Sequence, residues 1–385
     1  MKVYLDHGAT TPVDPAVVEA MLPFYGEKFG NASSLHGWGR EAKSALEDSR
    51  EKIASRINAS PEEIIFTSGG SESDNLALKG IAYSLRGERN HIVTSKIEHP
   101  AVLETARFLE KDGFKVTYLG VDGQGFIDLG ELEDALMDKT VLVSIMHANN
   151  EIGTIQDLEA IGGICADKNV LLHTDAVQSF TKVPIDVEKQ NVSLASFSAH
   201  KIHGPKGVGA LYVRKDVKKK LLKQIHGGHH EGNLRAGTEN IPGTVGFAKA
   251  VELAKTEHVR YMTKLRNKLI DNLLRIDETH LNGPRGERRL CNNASISFHY
   301  IEGEGVLLHL DAKGIAVSTG SACSSTSLEP SHVLTAIGLK PEVSHGTIRF
   351  TLGRENTEKE IDYTTEAVKE VVEKLRKISP LMRKK

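Results

Sequence analysis

The sequence lacks the features that hold a protein in a membrane, on a nucleic acid or in a disulfide framework. Its longest run without a charged residue, residues 314–328, is rich in serine and threonine and too short to span a bilayer. Lysine and arginine number 49 against 51 aspartate and glutamate residues, so no basic field attracts nucleic acid or an anionic membrane. The three cysteines, Cys165, Cys291 and Cys323, are too few and too scattered for a disulfide scaffold.

The composition is that of an ordinary globular protein. Hydrophobic residues make up 39% of the chain and charged residues 26%, which excludes a disordered or collagen-like protein. A length of 385 residues predicts two domains, at roughly 150 residues per domain. The first six residues have no apolar signal core, and the low cysteine content fits a reducing compartment. We therefore expect a cytoplasmic protein.

Short apolar segments alternate with helical patterns between about residues 60 and 215. This alternation is typical of a mainly parallel sheet covered by helices on both faces. The predicted strands are Ile64–Thr67, His91–Ser95, Lys115–Leu119, Val141–Met146, Val170–Thr174, Leu194–Ser198 and Gly209–Val213. The predicted helices between them include Leu76–Leu85, Ala101–Lys111, Gly130–Met137 and Leu158–Lys168.

The pattern changes after about residue 250. It predicts one long helix at Val251–Leu274, short strands at Ala294–Phe298 and Thr347–Thr351, and a final helix that begins at a capping box formed by Thr357 and Glu360. These elements predict a large domain of residues 13–257 and a smaller α+β domain formed by residues 1–12 and 258–385.

Polar residues follow five successive predicted strands. In open α/β sheets, ligands bind beyond the carboxyl ends of the strands. The segment Ser68-Gly69-Gly70-Ser71, between a strand and a helix, is able to bind phosphate through backbone N–H groups and the helix N-terminus. A plain tight turn gives the same pattern. The later strand ends carry His99, Asn150, Asp175 and Lys201.

Two of these residues suggest a particular cofactor. Asp175 is suited to keep a ring nitrogen protonated, although a helix cap is an equal alternative. Lys201 follows an apolar strand, where desolvation favours the neutral amine that forms a Schiff base. An exposed loop lysine is the alternative, and Lys206 is a nearby competitor. A phosphate loop, an aspartate for a ring nitrogen and a Schiff-base lysine together indicate pyridoxal phosphate.

Seven segments of the chain carry one further pattern, in order. They are Leu5–Pro12, Thr67–Asn75, His147–Gly153, Thr174–Gln178, Ser198–Lys201, Gly204–Gly207 and Arg235–Asn240. These segments resemble the fold-type I pyridoxal-phosphate enzymes, and more narrowly the class-V aminotransferase group that holds the cysteine desulfurases of the NifS/IscS type. The resemblance implies a fold-type I PLP-transferase, with a large domain built on a mainly parallel seven-stranded sheet and a smaller α+β domain.

Cys323 differs from the other two cysteines in its surroundings. The segment Ser318–Thr326 consists almost entirely of small and polar residues, so it has little apolar surface to bury. We therefore predict that the thiol of Cys323 is exposed and reactive rather than buried. Cys165 and Cys291 are interpreted as buried core residues. The segment around Cys323 also resembles the active-site cysteine loop of the IscS-like group.

The resemblance implies a reaction and a role for each residue. L-cysteine loses its sulfur to Cys323 as a persulfide, alanine leaves, and the sulfur passes to an acceptor such as an IscU-like scaffold for iron–sulfur clusters. Lys201 binds the cofactor and moves the α-proton, and Asp175 keeps the ring nitrogen protonated. The resemblance also implies that Gln178 bonds the ring oxygen and that His99 stacks on the ring and moves protons.

Further residues complete the implied site. The substrate carboxylate is assigned to Arg349 and Asn150, although Arg349 in a strand is also typical of an internal salt bridge. Thr238 is assigned to the phosphate of the neighbouring subunit, which requires a homodimer. The implied phosphate ligands within the chain are Gly70, Ser71, Ser198 and His200.

Other interpretations stay open at this point. The chain is alternatively a selenocysteine lyase or another class-V enzyme, or a cluster-assembly partner in which Cys323 ligates a transient [2Fe–2S] cluster. The segment His229–Asn233 departs from the family pattern, because an arginine is missing at Gly232, which concerns partner contacts more than chemistry. His226, His229 and His230 weakly suggest a metal site, without the spacing of a known motif.

Overall fold

The computed structural model describes residues 1–319 and 330–380, so the predicted thiol at Cys323 lies outside the described residues. Thirteen strands are described, in chain order. They are β1 (Val3–Tyr4), β2 (Ile64–Thr67), β3 (His91–Ser95), β4 (Lys115–Leu119), β5 (Thr140–Ser144), β6 (Leu171–Asp175), β7 (Leu194–Ser198), β8 (Gly209–Val213), β9 (Thr279–Leu281), β10 (Asn293–Phe298), β11 (Ile315–Ala316), β12 (Ser318–Thr319) and β13 (Thr347–Thr351).

The α-helices surround these strands. In chain order they are α1 (Pro15–Met21), α2 (Gly37–Ser55), α3 (Gly70–Leu85), α4 (Pro100–Lys111), α5 (Leu129–Ala135), α6 (Leu158–Asp167), α7 (Lys215–Lys218), α8 (His230–Asn233), α9 (Ile241–Leu253), α10 (Thr256–Leu273), α11 (Gly303–Asp311), α12 (His332–Ala336), α13 (Pro341–Ser344) and α14 (Glu358–Ile378). No helix within the described ranges is both long and apolar enough to cross a membrane.

The large sheet has the predicted seven strands, in the spatial order β2-β8-β7-β6-β5-β3-β4. Five neighbouring strands of this sheet, β4, β3, β5, β6 and β7, pair in parallel. Strand β8 is antiparallel to both of its neighbours, β2 and β7. Every residue of β5, β7 and β8 is buried, because helices cover both faces of the sheet. The prediction of a mainly parallel sheet is therefore confirmed.

Helix α3 begins earlier than the apolar pattern predicted. The periodic apolar residues start at Leu76, but the helix begins at Gly70. Its first turn is polar because it faces the edge of the sheet where the strands end, so the hydrophobic pattern misses it.

The predicted single helix Val251–Leu274 is wrong, because two helices occupy this region. Helix α9 ends at Leu253, and the backbone is extended at Ala254 and Lys255 before α10 begins. Neither residue is a strong helix breaker, so the interruption has no local signal. Tertiary packing decides it, since α9 packs against α1 and α2 whereas α10 packs against α14 and β10.

A second hydrophobic core forms around the four-stranded sheet β12-β13-β10-β9. The first residues of the chain belong to it, since β1 pairs in parallel with β11 and Leu5 is fully buried there. The predicted capping box at the start of α14 is confirmed, with Thr357 and Glu360 each accepting a backbone N–H from the other. Cys165 and Cys291 are free and buried, as predicted.

Candidate active site

A cavity of about 220 Å³ opens at the carboxyl ends of the parallel strands. It brings together most of the residues that the sequence predicted. These are Gly70, Ser71, His99, Asn150, Asp175, Gln178, Ser198, His200, Lys201 and Arg349.

The large sheet supplies the cavity's polar residues in register. Asp175 is the last residue of β6, and Ser198 is the last residue of the adjacent β7. A short 3-10 turn after β7 then carries His200 and Lys201. Because parallel strands end at the same edge, residues distant in sequence meet in one cavity.

The start of α3 forms the candidate phosphate cradle. Its N-cap, Gly69, makes no side-chain capping hydrogen bond, so the positive end of a 16-residue helix is available to an anion. A Cβ atom on Gly70 would lie 2.6 Å from Cγ2 of Val177. Glycine at position 70 therefore lets the backbone approach the segment after Asp175 closely.

Lys201 extends across the cavity toward the first residues of the chain. Its Nζ donates hydrogen bonds to the carbonyl oxygens of Gly8 at 2.7 Å and Ala9 at 2.8 Å. Nε2 of Gln178 also donates to the Gly8 oxygen, at 3.0 Å. Gly8 and Ala9 are not among the predicted site residues, although the segment Leu5–Pro12 carried part of the family resemblance.

Asp175, which is buried, interacts with His99, which is half-buried. Oδ1 of Asp175 accepts a hydrogen bond from the backbone N–H of Val177 at 2.9 Å. Burial raises the pKa of Asp175, while the nearby His99 and Lys201 oppose that rise. Burial lowers the pKa of His99. Nδ1 of His99 accepts from the N–H of Ala101 at 3.1 Å, so the proton of the neutral ring lies on Nε2.

Asp74 is a site residue that the sequence motifs did not identify. It lines the cavity from α3, is almost fully buried, and its Oδ1 has no hydrogen-bond partner within the described part of the chain. Burial, and then the negative charge of Asp175, raise the pKa of Asp74 well above its usual value. Both effects favour the protonated form of Asp74. In the sequence, Asp74 stands four residues after Gly70, and this spacing places both residues on one face of the helix. The spacing could have identified Asp74 as a site residue.

Arg349 lies in β13 and is 3% exposed. Its Nη2 is 3.1 Å from Oδ1 of Asp6, so the internal salt bridge that was the alternative prediction is present. Nη1 donates to the carbonyl oxygen of Asn150 at 3.2 Å. Nε of Arg349 has no partner among residues 1–319 and 330–380, which leaves a donor for a ligand in this cavity.

Two predicted site residues are not among those that line the cavity. Thr238 is exposed and does not line it. Cys323 lies outside the described residues. The metal site suggested by His226, His229 and His230 finds no support, since the possible ligand clusters of the described residues do not include them.

The segment that departs from the family pattern has a structural role. The Glu231 carboxylate accepts two hydrogen bonds from Arg50, at 2.7 and 2.9 Å, and one from the backbone N–H of Phe66 at 2.8 Å. These contacts fasten the segment to β2.

The residues present fit pyridoxal phosphate. The uncapped start of α3 offers N–H groups to a phosphate, a buried carboxylate at Asp175 suits a ring nitrogen, and Lys201 provides an amine in the same cavity. The unsatisfied atoms of Asp74 and Arg349 show that this cavity is built to hold a polar ligand.

A family model described as aminotransferase class-V matches residues 3–364. The chain belongs to this family. The cysteine desulfurase IscS of Dictyoglomus turgidum is 54% identical over 98% of this chain and 96% of that protein. A solved NifS-like protein has a TM-score of 0.92 and 45% identity, covering 97% of this chain and all of that one. A structure described as SspA in complex with cysteine has a TM-score of 0.84 and 39% identity, covering 92% of this chain and all of that one.

These matches confirm the predicted class-V aminotransferase family, its fold and pyridoxal phosphate as its cofactor. The chain spans nearly the whole length of the relatives, so their fold applies to both hydrophobic cores. The roles of individual residues stay predictions.

Glu98, next to His99, is a buried acid in this class-V aminotransferase. Its Oε1 accepts from Ser95 Oγ at 2.6 Å and from the N–H of Met146 at 3.0 Å. Oε2 has no hydrogen-bond partner in the described part of the chain. Burial raises the pKa of Glu98 to about 8, so the folded protein keeps a proton there that the unfolded chain loses.

We expect Glu98→Gln to alter how stability depends on pH. A raised folded-state pKa means that Glu98 costs stability as pH rises from about 4.5 to 8, on the order of 4 kcal/mol at the upper end. Replacing the carboxyl by an amide removes this cost, so the variant should melt at a higher temperature than wild type at pH 8 and at nearly the same temperature at pH 4.5. Thermal unfolding across this range measures the difference. The exposed variant Glu104→Gln is the control, and an equal effect there would contradict the assignment.

Proposed function

We propose that this chain is a pyridoxal-phosphate-dependent cysteine desulfurase, which removes sulfur from L-cysteine and releases L-alanine. The observation that carries the proposal is one cavity that joins an amine, a buried carboxylate and a buried arginine, in a chain 54% identical to an IscS cysteine desulfurase. The amine is Lys201, the carboxylate Asp175 and the arginine Arg349.

The chain's own residues hold the cofactor. Gly70, Ser71, Ser198 and His200 would bind its phosphate at the start of α3 and the end of β7. Asp175 would face the ring nitrogen, Gln178 the ring oxygen and His99 the ring face. Burial lowers the pKa of His200 to about 4, so this ring is neutral and offers one N–H. When bound, pyridoxal phosphate supplies an electron sink for the electrons released at the substrate's α-carbon.

Arg349 and Asn150 would orient the substrate. The guanidinium of Arg349 already bonds Asp6 and the Asn150 carbonyl, which fixes its plane. Its Nε, which has no hydrogen-bond partner in the described part of the chain, would donate to the substrate. A fixed guanidinium is suited to a carboxylate because its N–H groups match the two oxygens. The carboxylate of L-cysteine would therefore be held at the end of the cavity nearest β13.

Lys201 and His99 would move protons at the substrate. Nζ of Lys201 reaches the cavity between the strand end and residues 8–9, and this is where the α-proton must be taken and returned. His99 is held by its N-cap hydrogen bond, so its Nε2 proton has one fixed direction. A neutral imidazole in this position is suited to exchange a proton with the departing group.

Cys323 would accept the sulfur. Its thiolate attacks the substrate sulfur, a sulfur–sulfur bond forms, and the carbon–sulfur bond breaks with its electron pair remaining on carbon. That carbon takes up a proton and L-alanine leaves, while Cys323 carries the persulfide. An IscU-like scaffold protein would then take the sulfur. The alternative, a transient [2Fe–2S] cluster at Cys323, stays a prediction. The division into a large domain of residues 13–257 and a small domain of residues 1–12 and 258–385 also stays a prediction.

The proposed assembly is a homodimer in which Thr238 completes the partner's phosphate site. Thr238 is exposed and lies just before α9, which packs against α1 and α2. The surface beside these helices exposes several large apolar side chains, as expected of a covered interface. They are Leu22, Tyr25, Phe29, Leu35 and Trp38.

A cytoplasmic location is also proposed, since the buried cysteines Cys165 and Cys291 are free thiols.

Lys201→Ala should abolish the yellow absorbance of the bound cofactor and lower desulfurase activity by roughly 10²–10⁴-fold or more, because both attachment and proton transfer are lost. Visible spectra and alanine formation measure the two effects. Lys206→Ala is the matched control and should keep both. A yellow chromophore retained by the Lys201→Ala variant would refute the assignment of Lys201.

Cys323→Ala should bind the cofactor normally and release no sulfide from L-cysteine, because the acceptor thiol is missing. Spectra and sulfide assays with a reductant measure these outcomes, with Ser325→Ala as the control. Full activity of the Cys323→Ala variant would contradict the persulfide step. Less than one equivalent of alanine per wild-type chain would favour the rival role as a cluster-assembly partner.

Mixing two defective variants tests the shared site. A dimer of one Lys201→Ala chain and one Thr238→Ala chain contains one site with both residues intact and one with neither. We therefore expect the mixture, after subunit exchange, to gain activity and cofactor binding above either variant alone. Mixing the Lys201→Ala chain with an Arg349→Gln chain is the control, because these residues lie in one chain's cavity and the mixture gains nothing. No recovery in the first mixture would contradict the role of Thr238.

A further inference from the structure

A second, smaller cavity lies behind Lys201, on the side away from the candidate active site. Its volume is about 40 Å³, and it is lined by residues from both hydrophobic cores, such as Ile202 and Leu352. A water molecule needs about 10–15 Å³ by this measure. This junction cavity therefore has room for a small inorganic ion but not for a nucleotide or a peptide.

The walls of the junction cavity carry positive charge. They include Lys182 and Lys255, and no aspartate or glutamate is among the described lining residues. Arg354 also lines the cavity, but its charge is paired with Asp14 and Glu355. The Nζ of Lys201 is directed to Gly8 and Ala9 in the candidate active site. An anion in the cavity would be attracted by the amines of Lys182 and Lys255.

Lys182 has no carboxylate partner among the described ion pairs. Its Nζ donates to the carbonyl oxygens of Gln178 at 2.9 Å and Lys201 at 3.3 Å. An ammonium has three N–H groups, so one remains beyond these two contacts. Burial lowers the pKa of Lys182 to about 8, which leaves the group mostly charged at pH 7. A charged, half-buried amine of this kind calls for a negative ligand.

The positive end of α10 contributes to the same cavity. This 18-residue helix begins after Lys255, which provides no side-chain cap, and His258 and Val259 from its first turn line the cavity. An uncapped helix start is favourable for an anion.

A buried histidine supplies an independent sign of a ligand. His7 lines the cavity, is 5% exposed, and its Nδ1 has no hydrogen-bond partner among the described residues. Burial lowers the pKa of His7 to about 4, so the ring is neutral, and a backbone hydrogen bond to Tyr4 also acts on it. An unpaired buried polar atom is rare without a ligand or water.

A cation is the competing occupant, because His7, His203 and Glu355 have donor atoms within 4.8 Å of one another. Glu355, however, already accepts a hydrogen bond from Nε of Arg354 at 2.9 Å, and its side chain is half exposed. Asp14 also pairs with Arg354. The amines that line the cavity, Lys182 and Lys255, oppose the binding of a metal cation. The chemistry of the cavity favours a negative ligand.

We propose that the junction cavity binds a small inorganic oxyanion, such as sulfate or phosphate, between Lys182 and the start of α10. The anion bridges the two hydrophobic cores directly behind the lysine that carries the cofactor. This site is separate from the phosphate cradle at Gly70, and the proposal does not depend on the reaction that the enzyme catalyses.

The test uses the holoenzyme, whose cofactor already fills the phosphate cradle. Chloride is exchanged for sulfate at constant ionic strength, and the melting temperature and the heat of sulfate binding are measured. We expect a saturable rise in melting temperature for wild type. Lys182→Met and Lys255→Gln should weaken sulfate binding by at least about 10-fold, since each removes one charge-assisted contact worth on the order of 1.5 kcal/mol.

Two control variants distinguish the junction cavity from sulfate binding elsewhere on the chain. Arg349→Gln removes the other candidate anion site and should leave the saturable sulfate binding intact. The exposed variant Lys168→Gln should also leave it unchanged. A rise that is linear in sulfate and equal in wild type and both cavity variants reflects the general salt effect and would overturn the proposal. Saturable zinc binding that is lost in His203→Ala, with no saturable sulfate binding, would overturn it as well.

Discussion

The site depends on one constraint, the parallel pairing of neighbouring strands in the large sheet. Parallel strands must be joined by crossovers, so their carboxyl ends collect at one edge. Because helices cover both faces of this sheet, the polar residues that follow its strands face a cavity only at the carboxyl edge. Asp175 and Lys201 therefore stand side by side although 26 positions separate them in the sequence.

The first residues of the chain close the site by joining it to the second core. Lys201 bonds the carbonyl oxygens of Gly8 and Ala9, while Asp6 pairs with Arg349 in β13. The same short segment carries β1, which pairs with β11. A change at Asp6 would thus affect Arg349 directly, through their salt bridge. It would affect Lys201 indirectly, because Lys201 bonds the backbone of Gly8, two residues after Asp6. The residues proposed to bind the cofactor and those proposed to bind the substrate are therefore linked through this backbone segment as well as through the large sheet.

Charge in this region is arranged on the two sides of Lys201. On the side of the site, Asp74, Glu98 and Asp175 are buried acids whose pKa values burial raises. On the opposite side, Lys182 is an amine whose pKa burial lowers. Desolvation therefore disfavours the charged forms on both sides, and a bound group of opposite charge favours them.

Local sequence patterns determined most of the elements, because burial on both sheet faces leaves continuous apolar strands between polar loops. Strands such as Ile64–Thr67 and Leu194–Ser198 follow directly from this pattern, and the motifs at their ends identified the family. Tertiary structure alone decided the break between α9 and α10, the salt bridge of Asp6 with Arg349 and the raised pKa of Asp74. These features arise from contacts between distant segments, and the pKa of a carboxyl group depends on the burial and charges that those contacts create.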